Sequence, residues 1–276
     1  MASPLIWELD FYSRPVLDED DKKIWELLVC NPDRSFYYVQ LCPSQAVNSG
    51  WLSDELLSIL SFTKPPLKVR FFRSSMANII TRGCKQAGLV PQATRRLFAM
   101  ADWLQERMVE VYPQNPKFQA PDPDPLPLKP AGAIVPQLLP DALTADRWQI
   151  LSLPSIELKD AKEWEIDFGE FFPVNLTPDT EIPGIMMVSP RAMAISAWMS
   201  GVEPVFLRFY PLSGRWQLRL DCGADASWIV SDIADGTIAN AFEEAKQRSG
   251  GIHFLSLKTD PETEKISGFW LLKQLN

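Results

Sequence analysis

The sequence has 276 residues, a formal net charge of −8 and a single histidine. This length is enough for two domains that each bury a core. With 46% hydrophobic and 22% charged residues, the chain has the composition of a folded globular protein rather than a disordered one. One histidine excludes sites that need two imidazoles, such as H-E-x-x-H zinc sites. The acidic balance argues against nucleic acid, but a net charge hides how charge is distributed.

The cysteines predict no metal or redox motif. None of the four forms a C-x-x-C pair, which excludes a zinc ribbon or a thioredoxin-type site, and the expected state is reduced, buried thiols in the cytoplasm: Cys30, Cys42, Cys84 and Cys222. A strand predicted to begin by Ile6 or Trp7 leaves no room for a signal or transit peptide. No apolar run approaches the roughly 18–20 residues that span a bilayer.

The first part of the chain predicts three strands and then alternating helices and strands. Alternation and turn signals place the strands at Trp7–Val16, Lys23–Cys30 and Phe36–Cys42. A helix over about Ser49–Phe62 and a strand at Lys68–Arg73 follow.

The remaining elements of this part are a helix, a short strand and a final helix. Ser74 and Ser75 can cap the first helix, and Gly88 ends it. A strand near Leu89–Ala93 precedes a helix whose apolar stripe is Leu97, Ala101, Leu104, Met108 and Val111. Three meandering strands followed by helix–strand–helix–strand–helix is the element order of the ribonuclease-H-like fold, which by itself confers no function.

Prolines indicate the domain boundary. Nine of the 24 prolines lie between Pro113 and Pro140, in a stretch without apolar periodicity. We therefore expect a proline-rich linker over 113–147, between a domain at 1–112 and a domain at 148–276.

The second domain also predicts mixed α/β structure. A helix begins at Ser189-Pro190 and ends at Gly201, the N-terminal proline and C-terminal glycine pattern. The other expected elements are strands at Val205–Tyr210, Arg215–Asp221 and Trp228–Asp232, a helix at Thr237–Arg248, and strands at Ile252–Lys258 and Gly268–Leu272.

The positive charge is concentrated in one window. Residues 56–101 contain no acid and eight bases, so this window carries +8 and the rest of the chain −16: Lys64, Lys68, Arg70, Arg73, Arg82, Lys85, Arg95 and Arg96. Alternation along the strand within this window places three side chains on each face, Lys68, Arg70 and Phe72 on one and Val69, Phe71 and Arg73 on the other. A strand covered on both faces should be continuously apolar, so we expect one face of it to be open.

Two further features of the window suggest an anion. Arg73 directly precedes a predicted helix N-terminus, where backbone N–H groups favour negative charge. Arg95 and Arg96 begin the last helix, the unfavourable end for cations unless a phosphate or a carboxylate compensates them.

Bases interleaved with phenylalanines fit single-stranded RNA, which needs cations for phosphates and aromatic faces for bases. The predicted contact residues are Lys68, Arg70, Phe72, Arg73, Ser74, Ser75, Arg82, Lys85, Arg95 and Arg96, with Arg14, Lys22 and Lys23 added from neighbouring strands. Two alternatives stay open: the phenylalanines belong to the core, or the bases pair with the acidic second domain.

Catalysis is not predicted. A ribonuclease-H-like hydrolase needs carboxylates around two metal ions, and Asp10 with Asp54 or Glu55 suggests such a site. The end of the fourth strand carries Arg73, however, which repels Mg²⁺ and attracts phosphate. The sequence has no G-x-S-x-G, P-loop or G-x-G-x-x-G motif, and His253 is interpreted as structural. We expect no metal, cofactor or catalytic residue, with a metal-dependent nuclease kept as an alternative.

Six blocks resemble one family of proteins. They occur in order along nearly the whole chain: WELDFYSRPVLDEDDKKIWELLV, KVRFFRSSMANIITRGCKQAG, WLQER, SPRAMAISAWMSG, SGGIHFL and GFWLL. Together they resemble the TAB/ATAB family of chloroplast and cyanobacterial RNA-binding proteins.

The resemblance implies binding of A/U-rich RNA and activation of translation of photosystem reaction-centre messages, chiefly those of photosystem I. It implies a cyanobacterial form acting in the cytoplasm near thylakoids, with an mRNA leader as partner and the ribosome or assembly factors as further candidates. A photosystem assembly factor that binds only protein is the alternative.

Overall fold

The computed structural model describes residues 5–120 and 134–275. The chain divides between residues 131 and 132 into two compact units, each with its own sheets and helices. The mixed α/β, two-domain fold class predicted from the sequence is confirmed. No helix of the described residues is long and apolar enough to cross a membrane.

The N-terminal unit is a five-stranded sheet with helices on both faces. Its strands are β1 (Ile6–Leu17), β2 (Lys23–Cys30), β3 (Tyr37–Cys42), β4 (Lys68–Phe71) and β5 (Pro91–Ala93), and its helices are α1 (Ser49–Leu60), α2 (Ala77–Gln86) and α3 (Phe98–Glu106). The strand order is β3-β2-β1-β4-β5, with β1 antiparallel to β2 and parallel to β4. The element order predicted from the sequence is therefore confirmed.

The two faces of this sheet differ in chemistry. On one face, Leu9, Phe11 and Phe71 pack with α1 and α2 in an apolar core. On the other face, α3 packs over buried polar and apolar side chains, which include Glu8 and Arg70. Arg70, on the polar face of β4, is 1% exposed, so this face is covered and the expectation of an open face is wrong.

Helix ends follow local chemistry in part. Asn48 caps α1 by accepting a hydrogen bond from the N–H of Trp51 at 3.0 Å, and Gly88, with a φ of +74°, ends α2 as predicted. Ser74 and Ser75 do not cap α2, because they lie inside a 3₁₀ turn that precedes it.

Both ends of the predicted linker contain structure. Tyr112 is buried in a 3₁₀ turn, Phe118 bridges to Val16, and residues 137–138 form a strand. Residues 121–133 lie outside the described residues. The proposed boundaries at 112 and 148 stay a prediction.

The C-terminal unit contains two sheets. Its strands are β6 (Gln137–Leu138), β7 (Arg147–Pro154), β8 (Ile166–Glu170), β9 (Glu181–Val188), β10 (Pro204–Leu212), β11 (Arg215–Cys222), β12 (Ala226–Ile233), β13 (Ile252–Lys258) and β14 (Ile266–Lys273), and its helices are α4 (Ala192–Val202) and α5 (Gly236–Arg248). The sheets have the orders β10-β11-β12-β6 and β7-β9-β13-β14-β8. The unit's main core draws on both sheets and both helices.

Four of these strands, β6 to β9, were not predicted from the sequence. Strand β9 is almost fully buried between β7 and β13. Its apolar run IMMV was the available signal, but Pro183 and Gly184 interrupt the pattern. Helix α4 extends past Gly201, and Glu203 takes the left-handed conformation that ends it.

Gly184 provides a test of the packing in this unit. An added Cβ would lie 2.3 Å from the ring of Phe254, its partner residue on β13. We expect Gly184→Ala to destabilise the C-terminal unit by about 1–3 kcal/mol, because the aromatic ring must move. Gly201→Ala is the matched control, since no atom lies within 4 Å of its Cβ position. Urea unfolding of the two variants measures the difference, and equal midpoints would contradict this packing.

Candidate nucleic-acid interface

A network of buried ions lies between the sheet and α3. The carboxylate of Asp10 accepts hydrogen bonds from Arg14 Nη1 at 2.7 Å and from Arg73 Nε at 2.5 Å. Glu26 accepts from Arg14 Nε at 2.9 Å and also pairs with Arg107. We call these five residues the buried ion network. It joins β1, β2 and the end of β4 to the turn of π-helix at Arg107–Val111.

Tyr112 closes the network at its far end. Its hydroxyl donates to Glu26 Oε2 at 2.6 Å and accepts from Arg107 Nε at 3.2 Å. Burial, together with the neighbouring Glu26 carboxylate, raises the pKa of Tyr112 to about 12. Burial alone would raise the pKa of Asp10, but Arg14 and Arg73 outweigh it and hold that pKa below its ordinary value. Both groups therefore keep their usual charge at neutral pH.

The structure places four of the predicted RNA-binding arginines in the interior. The exposed fractions are 3%, 1%, 8% and 1% for Arg14, Arg70, Arg95 and Arg96, respectively. A phosphate at the surface does not reach guanidinium groups that are buried this deeply. Their burial argues against direct contact with RNA, and the assignment of these four residues stays a prediction.

A carboxylate, not a phosphate, occupies the N-terminus of α3. Glu8 Oε2 accepts a hydrogen bond from the backbone N–H of Met100 at 2.7 Å, in the first turn of the helix. Glu8 is also the cross-strand partner of Arg70. Arg95 and Arg96 precede α3, which begins at Phe98, so they are not its first residues as predicted. The negative charge at the N-terminus of α3 is thus supplied by Glu8 on β1.

Arg73 is half-buried and engaged on several sides. Besides Asp10, its guanidinium carbon lies 3.8 Å from the ring centre of Tyr12 and 4.9 Å from that of Phe72. Phe72 also packs against the apolar cluster under α3. Both residues are therefore less available to RNA than the sequence suggests.

The exposed face of α2 is the surface that remains. Arg82 and Lys85 are exposed on this helix, and Ser74 and Ser75 are exposed in the 3₁₀ turn that precedes it. Asn78, also exposed on α2, lines a shallow depression together with Arg82 and Lys85. We call these five residues the α2 basic face. In the part of the chain that the structure describes, neither Arg82 nor Lys85 forms an ion pair.

Sequence reasoning missed Asn78. Its spacing of four residues from Arg82 on a predicted helix was the available signal, since residues four apart share a helix face. The amide can donate to a phosphate or to a base edge.

The comparisons with known proteins cover both units. Residues 6–107 match the model of the family described as RNA-binding protein Tab2/Atab2 N terminal, and residues 125–273 match its C-terminal domain. The chain belongs to the Tab2/Atab2 family of RNA-binding proteins. A protein from Zea mays named "Protein TAB2 homolog, chloroplastic" is 36% identical over 98% of this chain and 71% of the relative. The protein of the same name from Arabidopsis thaliana is 34% identical over 98% of this chain and 74% of the relative.

Three predicted lysines lie apart from the α2 basic face of this Tab2/Atab2 chain. Lys68 is half-buried at the start of β4. Lys22 and Lys23 are exposed at the β1–β2 turn, directly after the acidic run at 18–21. The N–H of Lys22 donates to Asp18 Oδ1 at 2.9 Å. Because four carboxylates surround this turn in sequence, it is a poor place for a phosphate.

The single histidine has a structural role in the C-terminal unit. His253 is fully buried, and its Nε2 accepts a hydrogen bond from the N–H of Leu207 at 2.8 Å. The other ring nitrogen, Nδ1, lies 2.9 Å from the carbonyl oxygen of Gly251. Lys246 Nζ donates to the carbonyl of Leu207 at 2.8 Å and pairs with Glu243.

All four cysteines are buried free thiols, as predicted from the sequence.

The buried ion network predicts a large difference between two carboxylates. We expect Asp10→Asn to destabilise the N-terminal unit by about 3–5 kcal/mol, because it leaves buried guanidinium charge without its partner. Glu106→Gln removes a carboxylate from the exposed pair with Arg34 and should cost about 0–1 kcal/mol. Urea unfolding of both variants measures these values. Equal losses of unfolding free energy in the two variants would contradict the conclusion that Asp10 is a buried, paired charge.

His253 predicts a pH dependence of stability. Burial and the nearby Lys246 charge hold its pKa well below 6.5. The folded state therefore favours the neutral ring, and this stability is full above about pH 6.5 and declines as the pH falls below it. Because the chain has one histidine, unfolding at about pH 7.5 and about pH 5 isolates its contribution. His253→Gln should be less stable at the higher pH and less sensitive to the change. The same pH dependence in both proteins would contradict the assignment.

Proposed function

We propose that this chain binds single-stranded, A/U-rich RNA through the α2 basic face. It thereby promotes translation or biogenesis of photosystem reaction-centre proteins, chiefly those of photosystem I. Membership of the Tab2/Atab2 family supports the RNA partner, and the two plant relatives, both named as chloroplastic, support a role in photosynthesis. The observation that carries the proposal is the pair of exposed cations on α2, Arg82 and Lys85, which have no carboxylate partner among residues 5–120 and 134–275.

The number of exposed bases in the window 56–101 determines the salt dependence that we expect for RNA binding. Arg70, Arg95 and Arg96 are buried, and Arg73 holds Asp10. The exposed bases of the window that remain are Lys64, Arg82 and Lys85. If two or three of them neutralise phosphates, the slope of log K against log salt should be about −1.4 to −2.1 for a single strand. This slope is shallower than the slope expected if all eight bases of the window contacted phosphates.

The wider setting follows from the resemblance and is part of the proposal. The acidic C-terminal unit is the candidate surface for the ribosome or for photosystem assembly factors. The expected place of action is the cytoplasm close to the thylakoids. The strand order β3-β2-β1-β4-β5 supports placing the N-terminal unit among ribonuclease-H-like folds.

Charge reversal on α2 tests the proposal. We expect Arg82→Glu with Lys85→Glu to weaken binding of a labelled A/U-rich single strand by tenfold or more, because two attractive charges become repulsive. Lys159→Glu with Lys162→Glu is the matched control, since both lysines are exposed and lie in the other unit. Fluorescence anisotropy at several salt concentrations gives the affinities and slopes.

Two results would contradict the proposal. One is an equal loss of RNA affinity in the two double variants, which would show that the effect depends on the net charge of the chain and not on α2. The other is a wild-type protein that does not bind the RNA at all, which would favour the alternative of an assembly factor that binds only protein. Crosslinking and sequencing of RNA bound in cells identifies the target message.

The nuclease alternative is less well supported. Arg14 and Arg73 already occupy both oxygens of Asp10, and two cations at this position oppose the approach of Mg²⁺. This arrangement favours binding over hydrolysis. Cleavage of the labelled RNA on addition of Mg²⁺ would support the nuclease instead.

A further inference from the structure

The outer face of the C-terminal unit's four-stranded sheet carries a second basic and aromatic group. Arg208 and Tyr210 alternate with the core residues Leu207 and Phe209 along β10, so they point to the opposite side of the sheet. Arg219 on β11 is the cross-strand partner of Arg208 and shares this side. We call Arg208, Tyr210 and Arg219 the β10–β11 cluster.

Two arginines directly opposite each other are an unfavourable pair. Like charges at paired positions of adjacent antiparallel strands repel. Within the described ranges, neither guanidinium has a carboxylate within ion-pair distance. By contrast, Arg215 on the same strand pairs with Asp232 at 3.3 Å. Among the described residues, one exposed arginine of this sheet thus has an ion pair, and the two neighbouring arginines have none.

The tyrosine ring holds the two cations. The guanidinium carbons of Arg219 and Arg208 lie 4.3 Å and 5.2 Å from the ring centre of Tyr210. The Tyr210 hydroxyl points to the buried carboxylate of Asp221 at 3.4 Å. Both arginines and the ring are therefore positioned together rather than free to point in separate directions.

Most of the arginine donors remain available. Arg219 uses its Nε to donate to Gln217 Oε1 at 2.7 Å. The structure records no hydrogen bond from Arg208 to any described residue. Arg208 is exposed, while Arg219 and Tyr210 are half-buried. The cluster therefore offers planar, bidentate donors next to an aromatic ring.

We infer that the β10–β11 cluster is a second contact site for single-stranded RNA, taking a phosphate on its guanidinium groups and an unstacked base against its ring or guanidinium planes. This inference rests on the proposed RNA-binding function. Its chemistry is that of single-strand binding, in which cations follow the backbone and planar groups stack on bases. Stacking favours RNA over an acidic peptide, because a peptide carboxylate needs the cations but not the ring.

The test measures RNA affinity of the full chain. The probe is a labelled A/U-rich single strand long enough to span several binding sites, about 20 nucleotides. We expect Arg208→Ala with Arg219→Ala to weaken binding by about tenfold and to reduce the salt slope by about 1.4, the value for two lost phosphate contacts. Arg215→Ala with Arg248→Ala is the matched control, because it removes the same charge from exposed positions of the same unit.

Two substitutions of Tyr210 separate stacking from charge. Tyr210→Phe keeps the ring and loses the hydroxyl near Asp221, so we expect affinity close to wild type. Tyr210→Leu removes the aromatic face, and loss of one stacked base weakens binding roughly 5-fold to 150-fold. Thermal unfolding of each variant shows whether the unit remains folded, and a 4-thiouridine crosslink to the β10 peptide provides a readout independent of affinity.

The outcomes distinguish this inference from the proposed function. Weakening by the α2 variant, with the Arg208/Arg219 variant equal to its control, would overturn the inference and leave the proposed function intact. A wild-type chain that does not bind the strand would overturn both. Weakening by both sets of variants, with a crosslink at β10, supports two contact sites on one RNA.

Discussion

The N-terminal unit depends on the pairing of ions that it buries. Removing a charged group from water costs several kcal/mol, and the cost is recovered only when each charge meets good partners. Asp10 and Glu26 therefore fix the positions of Arg14, Arg73 and Arg107. Arg73 links the network to α2, since it directly precedes the 3₁₀ turn that leads into this helix. Its ion pair with β1 sets where the α2 basic face begins.

The same interaction divides the basic window into two populations. Acids on β1, far away in sequence, pair with or lie beside the buried bases, as Asp10 does with Arg73 and Glu8 beside Arg70. The bases on α2 have no such partners in the described chain and remain at the surface. Residues 56–101 contain no carboxylate in sequence, but carboxylates from other strands lie beside several of their bases in the fold. The proposed RNA contact therefore rests on the bases of α2 alone.

Local patterns in the sequence were enough to predict most of the architecture. Alternation gave the strands of the first sheet, and spacing with Gly88 gave α2. The distant partners of the arginines could not be predicted, because Asp10 and Arg73 are 63 positions apart along the chain and meet only through packing. For the same reason the sequence could not show that the polar face of β4 is covered. In the second unit, Pro183 and Gly184 concealed strand β9, which lies between β7 and β13.

The backbone contacts of β10 show how the C-terminal unit positions the side chains on this strand. This strand pairs only with β11, so its other edge has backbone groups that need partners. His253 and Lys246 satisfy the N–H and the carbonyl of Leu207, and Glu243 accepts from the N–H of Phe209. These contacts fasten β10 to the second sheet and to α5. Arg208 lies between Leu207 and Phe209, and Tyr210 follows Phe209, so both side chains are carried by a backbone that these contacts hold in place. A rigid backbone lowers the entropy lost when such side chains order around a ligand. His253, Lys246 and Glu243 thus hold the backbone of the same strand that carries Arg208 and Tyr210.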